Sequence, residues 1–260
     1  MISTKVMSIS PEIAAEFLCM NKQNRHLSES VVVQYSLAMA RGEWEVNGEP
    51  IIFFDNGLLA NGQHRLNAVI KSNKTIDMLV VNGVKDSTFA TIDGGKKRGA
   101  GDILSIAGEK NHIVLASGAR AYIMYMSKGI KYSNEITSTM VKKYVDNHPD
   151  LKYWAGEYDS RKSAKLFPSF IVGILAFASE KYGIPQVYSF FENITTGANI
   201  GEGDPALTLR NKFTDMRVKG LQPHVSRKAA YIIKALNFHL KGKSIFKLSF
   251  SDGEKFPSIV

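Results

Sequence analysis

Two patterns of apolar and polar positions divide the chain. Up to about residue 108, short apolar runs alternate with turns rich in glycine and asparagine; beyond it, apolar residues recur at helical spacing. Ser10-Pro11-Glu12 supplies an N-cap, an N1 proline and an acidic first turn, which predicts a helix over Pro11–Met20. Val31, Val32, Tyr35, Ala38 and Met39 predict a second helix over 29–41, stopped by Gly42, with Trp44 packing where the chain turns back toward a sheet. Glu49 to Ala60 reads as a hairpin around Asp55-Asn56-Gly57. A short helix over Gln63–Ser72 and a strand over Ile76–Val81 follow, the strand too continuously apolar for an exposed edge. Strands, helix and strand in this order predict an α+β unit.

After Gly108 the pattern is helical. Helices are expected over 111–128, with Gly129 as stop, and over 135–147, ended by His148-Pro149. Phe167 to Tyr182 is apolar nearly all round, as the central helix of a bundle would be. Another helix runs from Ile184 to about Asn193, and 195–203 is a loop. Asp204-Pro205 starts a helix to Val218, and Ser226 caps the last one, which runs to Leu240 with Gly242 beyond. The tail from Ile245 to Ile259 is expected to pack in extended form on the bundle. The fold class is therefore α+β, a small mixed sheet with helices followed by an all-α C-terminal bundle, in domains 1–108 and 109–260.

At 260 residues and 44% hydrophobic, the chain can bury a full core. No apolar run approaches the roughly 18 residues of a membrane helix, and the start lacks a signal layout, so a cytoplasmic protein with no membrane partner is expected. The single cysteine, Cys19, excludes an internal disulfide and is expected to be buried as a small hydrophobe. Net charge is +9, and its placement matters more than its size. Between Pro205 and Lys247 ten Lys/Arg face one acid, Asp215, which equals the whole excess. Such clustering suits DNA, with Arg210, Arg217, Arg227, Lys228, Lys234 and Lys241 as candidate contacts; the alternative is helices with basic solvent faces.

Candidate site chemistry is densest in Asn61-Gly62-Gln63-His64-Arg65. A glycine between strand and helix lets the chain turn tightly and turns the first helical N–H groups toward an anion. Arg65, in the first turn, could add a bidentate grip on phosphate. The alternative is an ordinary turn with a hydrogen-bonded His64 and a surface Arg65. The second candidate is the glycine-rich stretch from Asp93 to Asp102, which matches no Walker loop. There Asp93 could hold Mg²⁺ or act as a base, and Arg98 could contact phosphate, the turn folding against Gly62–Arg65; alternatively Asp93 and Arg98 pair with each other.

The order Asn24-Arg25, Gly42-x-Trp44, Pro50-Ile51-Ile52-Phe53, Gly57-x-Leu59 and Asn61-Gly62-Gln63-His64-Arg65-Leu66-x-Ala68 resembles the ParB/sulfiredoxin superfamily. It most resembles ParB-like proteins of bacteriophages, over about the first 110 residues. The resemblance implies a sulfiredoxin-like fold, a phosphate-binding turn at Gly62, Gln63, His64 and Arg65, and Arg25 as a further phosphate contact. Implied cofactors are a nucleoside triphosphate, CTP or ATP, and Mg²⁺. The Asp93, Gly95, Arg98 and Asp102 run is similar, with approximate spacing, to one in the phage proteins. Superfamily members include CTP-hydrolysing partition clamps, an ATP-dependent sulfinic-acid reductase, free-serine kinases and proposed nucleases. The leading expectation is a phage nucleotide-binding protein associated with DNA in the host cytoplasm, with a homodimer among its assemblies. The alternatives are a small-molecule phosphotransferase using Asp93 or Asp102 as base, and a nuclease, for which the carboxylates are sparse.

Overall fold

A computed structural model describes the chain apart from Gln23, Arg25, residues 93–97, residues 127–134, Asn199, Asp252 and Val260, and apart from the side chains of 89–91 and 126. The chain divides into two compact units, Met1–Lys97 with Lys131–Thr137, and Arg98–Ile130 with Ser138–Val260. The division falls earlier than the boundary expected after residue 108.

The first unit is α+β. Its strands are β1 (Ser3–Ile9), β2 (Ile51–Phe54), β3 (Leu59–Asn61) and β4 (Ile76–Val84), in sheet order β1-β4-β2-β3. β4 runs antiparallel to β1 and parallel to β2, while β2 and β3 form the expected hairpin, irregular at Ile52 and Phe53. Helices α1 (Pro11–Cys19), α2 (Glu29–Ala40) and α3 (Gln63–Ser72) complete it. Ala14, Val32, Leu66 and Val69 pack against Ile51, Phe53, Met78 and Val80, and this contact forms the core. Ser10 caps α1 by accepting from the Ile13 N–H, as its sequence position predicts. Trp44 meets Tyr35 edge to face, with ring centroids 5.2 Å apart.

β1 was not legible as a strand, because it is an edge strand whose first four residues are exposed and which commits only Ile9 fully to the core. Cys19 corrects an expectation: it is exposed, since the buried side of α1 runs through Ala14, and its Sγ reaches only the carbonyl of Ala15. After β4, a 3₁₀ turn spans Asp86–Thr91.

The second unit is helical in its described residues: α4 (Ala100–Ile106), α5 (His112–Met126), α6 (Ser138–Asn147), α7 (Pro149–Ser160), α8 (Ile171–Tyr182), α9 (Ile184–Thr196), α10 (Pro205–Val218) and α11 (Val225–Leu240), with a 3₁₀ turn at Lys162–Leu166. Gly129, the expected stop of α5, lies outside the described residues. Pro149 both ends α6 and opens α7 as its N1 residue, so a proline read as a terminator was also an initiator. In α8, Ile171, Val172, Ile174 and Leu175 are fully buried. A Cβ on Gly173 would collide with the carbonyl oxygen of Gly118 and the N–H of Tyr122, so α8 and α5 touch backbone to backbone there. His224, rather than Ser226, caps α11, its Nδ1 accepting from the Ser226 N–H. The tail is held by Thr208 Oγ1, which donates to the Ile245 carbonyl, by Asn237 Nδ2, which donates to that of Ser258, and by Phe256 stacked on Tyr125.

Candidate functional site

α3 begins where the sequence places it. β3 enters through Gly62, at φ +115°, a conformation closed to side-chain-bearing residues, and a Cβ there would strike Ile51. Being glycine, Gly62 contributes no side-chain cap to the helix.

The three polar side chains that follow each tie a different piece of chain. Gln63, 6% exposed, accepts from Asn21 Nδ2 at 3.1 Å, just past α1. His64 Nε2 accepts from the backbone N–H of Ser28 at 3.0 Å, at the start of α2. That geometry places the proton of a neutral His64 on Nδ1. Arg65, 9% exposed, donates to the carbonyls of Glu49 and Pro50, the latter at 2.9 Å, where the chain enters β2. Asn24 adds a bond to the Leu59 carbonyl at 2.8 Å and one to Asn21 at 2.7 Å. The expected phosphate grip of Arg65 therefore meets a different geometry: its fork is applied to two carbonyls of its own unit. Sequence reasoning missed Asn21, Asn24 and Ser28 as partners because they lie some 35 to 42 positions from the groups they bind.

Arg25 and Asp93 lie outside the described residues. Arg98 and Asp102 belong to the second unit and the Gly62 turn to the first. Asp102 Oδ2 accepts from the Gly99 N–H at 2.8 Å, half of a capping box on α4. Among the described residues no group of three or more His, Cys, Asp or Glu is placed to hold a metal ion.

No family model, curated protein or solved structure matches the chain. What its sites can do is read from their own chemistry.

The six basic candidates of the second unit do not form one surface. Arg210 donates to the Ile194 carbonyl and packs over Gly197, closing the end of α9. Lys234 binds the Ser249 carbonyl at 2.6 Å and Glu254, so it anchors the tail. Lys241 is exposed at the far end of α11. Arg217 and Lys228 lie together at the corner between α10 and α11, with Lys165 beside them on the 3₁₀ turn, and Arg227 precedes Lys228 in the first turn of α11. Arg217 is exposed and donates to the Lys165 carbonyl at 2.9 Å, and Lys228 binds Gln222 at 3.1 Å. Lys165, Arg217 and Lys228 border a cleft of about 260 Å³ floored by Phe167, Phe213 and Met216.

Two further features were not legible in the sequence. In the first unit a cavity of about 560 Å³ is lined by Lys5, Met7, Phe17, Met20, Phe53 and Asp55. In the second, Tyr122 Oη donates to Glu180 at 2.6 Å, and His148 Nδ1 lies 2.7 Å from the other oxygen of the same carboxylate. Burial and the Glu180 charge push the Tyr122 hydroxyl pKa up, and burial, then Glu180, raises that of Asp150.

Proposed function

We propose that the chain is a phage-type ParB-like protein whose first unit binds the phosphates of a nucleoside triphosphate at the start of α3, while its second, a helical bundle, associates with nucleic acid. The observation that carries the reading is the entry into α3: a strand passing through a glycine of positive φ, packed too closely on Ile51 for a Cβ, into a helix N-terminus. A helix start favours an anion through its N–H groups and dipole. The motif resemblance and the basic C-terminal helices add support.

Within this reading Arg65 is a positioning residue. It holds the Glu49-Pro50 carbonyls, and Gln63 and His64 hold the segment from Asn21 to Ser28, which carries Arg25. Arg25 is the further phosphate contact that the resemblance implies beside the Gly62 to Arg65 turn. A Mg²⁺ ion accompanying the triphosphate would neutralise phosphate charge.

The test is calorimetry of ATP, CTP, GTP and UTP, with and without Mg²⁺, on wild type and Arg25→Ala. We expect one triphosphate to bind selectively and Arg25→Ala to weaken it by roughly 10- to 100-fold, the scale of a charged hydrogen bond. A folded wild type that binds none of the four overturns the nucleotide reading.

A further inference from the structure

The corner between α10 and α11 brings together cations, exposed apolar side chains and a cleft. Over twelve residues cations alternate with exposed apolar side chains: Val218 is 80% exposed, Leu221 52% and Val225 47%, among Arg217, Lys219 and Lys228. Such exposure is unfavourable for a surface that only meets water, and a cationic rim favours a polyanionic partner. Nearby acids are already matched, Asp159 by Lys165 at 2.7 Å and Asp215 by Lys219 at 2.8 Å, so Arg217 and Lys228 set the local sign.

The cleft itself is concave, with buried Phe167, Phe213 and Met216 below and Leu221 at its wall. At about 260 Å³ it falls below the roughly 300 to 1,000 Å³ of sites that enclose a whole small ligand. It suits one flat apolar group of a longer chain whose charged remainder runs over the surface. We propose that this cleft binds single-stranded nucleic acid, one unpaired base entering over the apolar floor while the flanking phosphates meet Arg217 and Lys228.

A paired base keeps its faces stacked inside a duplex and cannot enter the recess, whereas an unpaired one gains an apolar contact in addition to the electrostatic one. An anionic membrane also attracts cations with apolar neighbours, but it favours a protruding apolar ridge over a recess with Gln222 and Lys228 hydrogen-bonded at its edge. The inference rests on the reading of the second unit as nucleic-acid-associated and specifies its surface and strand state.

The test is fluorescence anisotropy of labelled oligothymidylate and of a duplex of equal length, with phosphatidylglycerol vesicles in parallel. Wild type is compared with Arg217→Glu/Lys228→Glu, Leu221→Asp, and Lys241→Glu/Lys243→Glu at the opposite end of α11. The expected result is preference for the single strand and a loss of roughly tenfold or more in the first double variant, its log–log salt slope shallower by about 1.4 for two contacts at 0.7 each. Leu221→Asp should also weaken binding, and the Lys241/Lys243 variant should leave it unchanged. Lys228→Glu alone serves if thermal unfolding shows that Arg217→Glu disturbs the fold through the Lys165 carbonyl. Strand binding lost only in the Lys241/Lys243 variant, or preference for duplex, overturns the cleft assignment and leaves the nucleic-acid reading standing. Wild type that binds neither oligonucleotide overturns both, and vesicle binding abolished by Leu221→Asp would then mark a membrane contact.

Discussion

Arg65 and Arg217 look alike in the sequence, each a cation at one end of a short helix and each a candidate phosphate contact. Arg65 is 9% exposed and spends its fork on the carbonyls of Glu49 and Pro50, whereas Arg217 is exposed, makes one backbone bond and stands beside an open cleft. The difference extends to their surroundings. The Gly62 turn directs its side chains inward to tie three segments together, and the α10–α11 corner leaves cations and apolar groups facing solvent. A dense run of polar residues can thus be a fastening, while a looser one assembled from distant positions forms the accessible surface.

The most damaging way to break this contrast is Gly62→Ala. The new Cβ meets Ile51 and the backbone must hold a φ of +115°, so a loss of about 2 to 5 kcal/mol is expected in urea unfolding, combining overpacking and backbone strain. A loss under about 1 kcal/mol would show that the turn relaxes without cost.

Next is Arg65→Ala, which leaves two carbonyls without their partner. We expect a loss of about 2 to 3 kcal/mol without any nucleotide present, with Arg65→Lys recovering only part because an ammonium cannot reproduce the fork. Unchanged stability in both variants would return Arg65 to the pool of ligand contacts.

A smaller effect separates the histidines. His239 has its pKa lowered by burial, with Asp204 opposing, and its Nε2 lies 2.8 Å from Ser189 Oγ. The unfolded chain then takes up a proton more readily than the folded one. The stability contributed is full above about pH 6.5, the ordinary histidine value, and is lost as pH falls from there through the lower folded value. Thermal unfolding from pH 7.5 downward should show the midpoint declining, with a shallower decline in His239→Gln; identical slopes would dissociate His239 from the acid sensitivity.

Much of the framework was legible from local rules. Ser10-Pro11, Asp55-Asn56-Gly57 and Asp204-Pro205 announced a cap, a hairpin and a helix start, because each acts through backbone geometry within four residues. β1 and α7 escaped for physical reasons. An edge strand commits few residues to the core, and Pro149 suits the start of one helix as well as the end of another.

The sequence alone determined the α+β class, the glycine entry into α3 and the basic excess after Pro205, since periodicity, positive φ and charge are properties of near neighbours. Only the tertiary structure decided what the polar groups do. Arg65 found carbonyls 15 and 16 positions away and His64 an N–H 36 away, while Lys165 came to stand beside Arg217, 52 residues on. Hydrogen bonds and apolar contacts act over a few ångströms in space without regard to chain distance, so whether a cation fastens the fold or faces a partner is settled when the chain closes on itself.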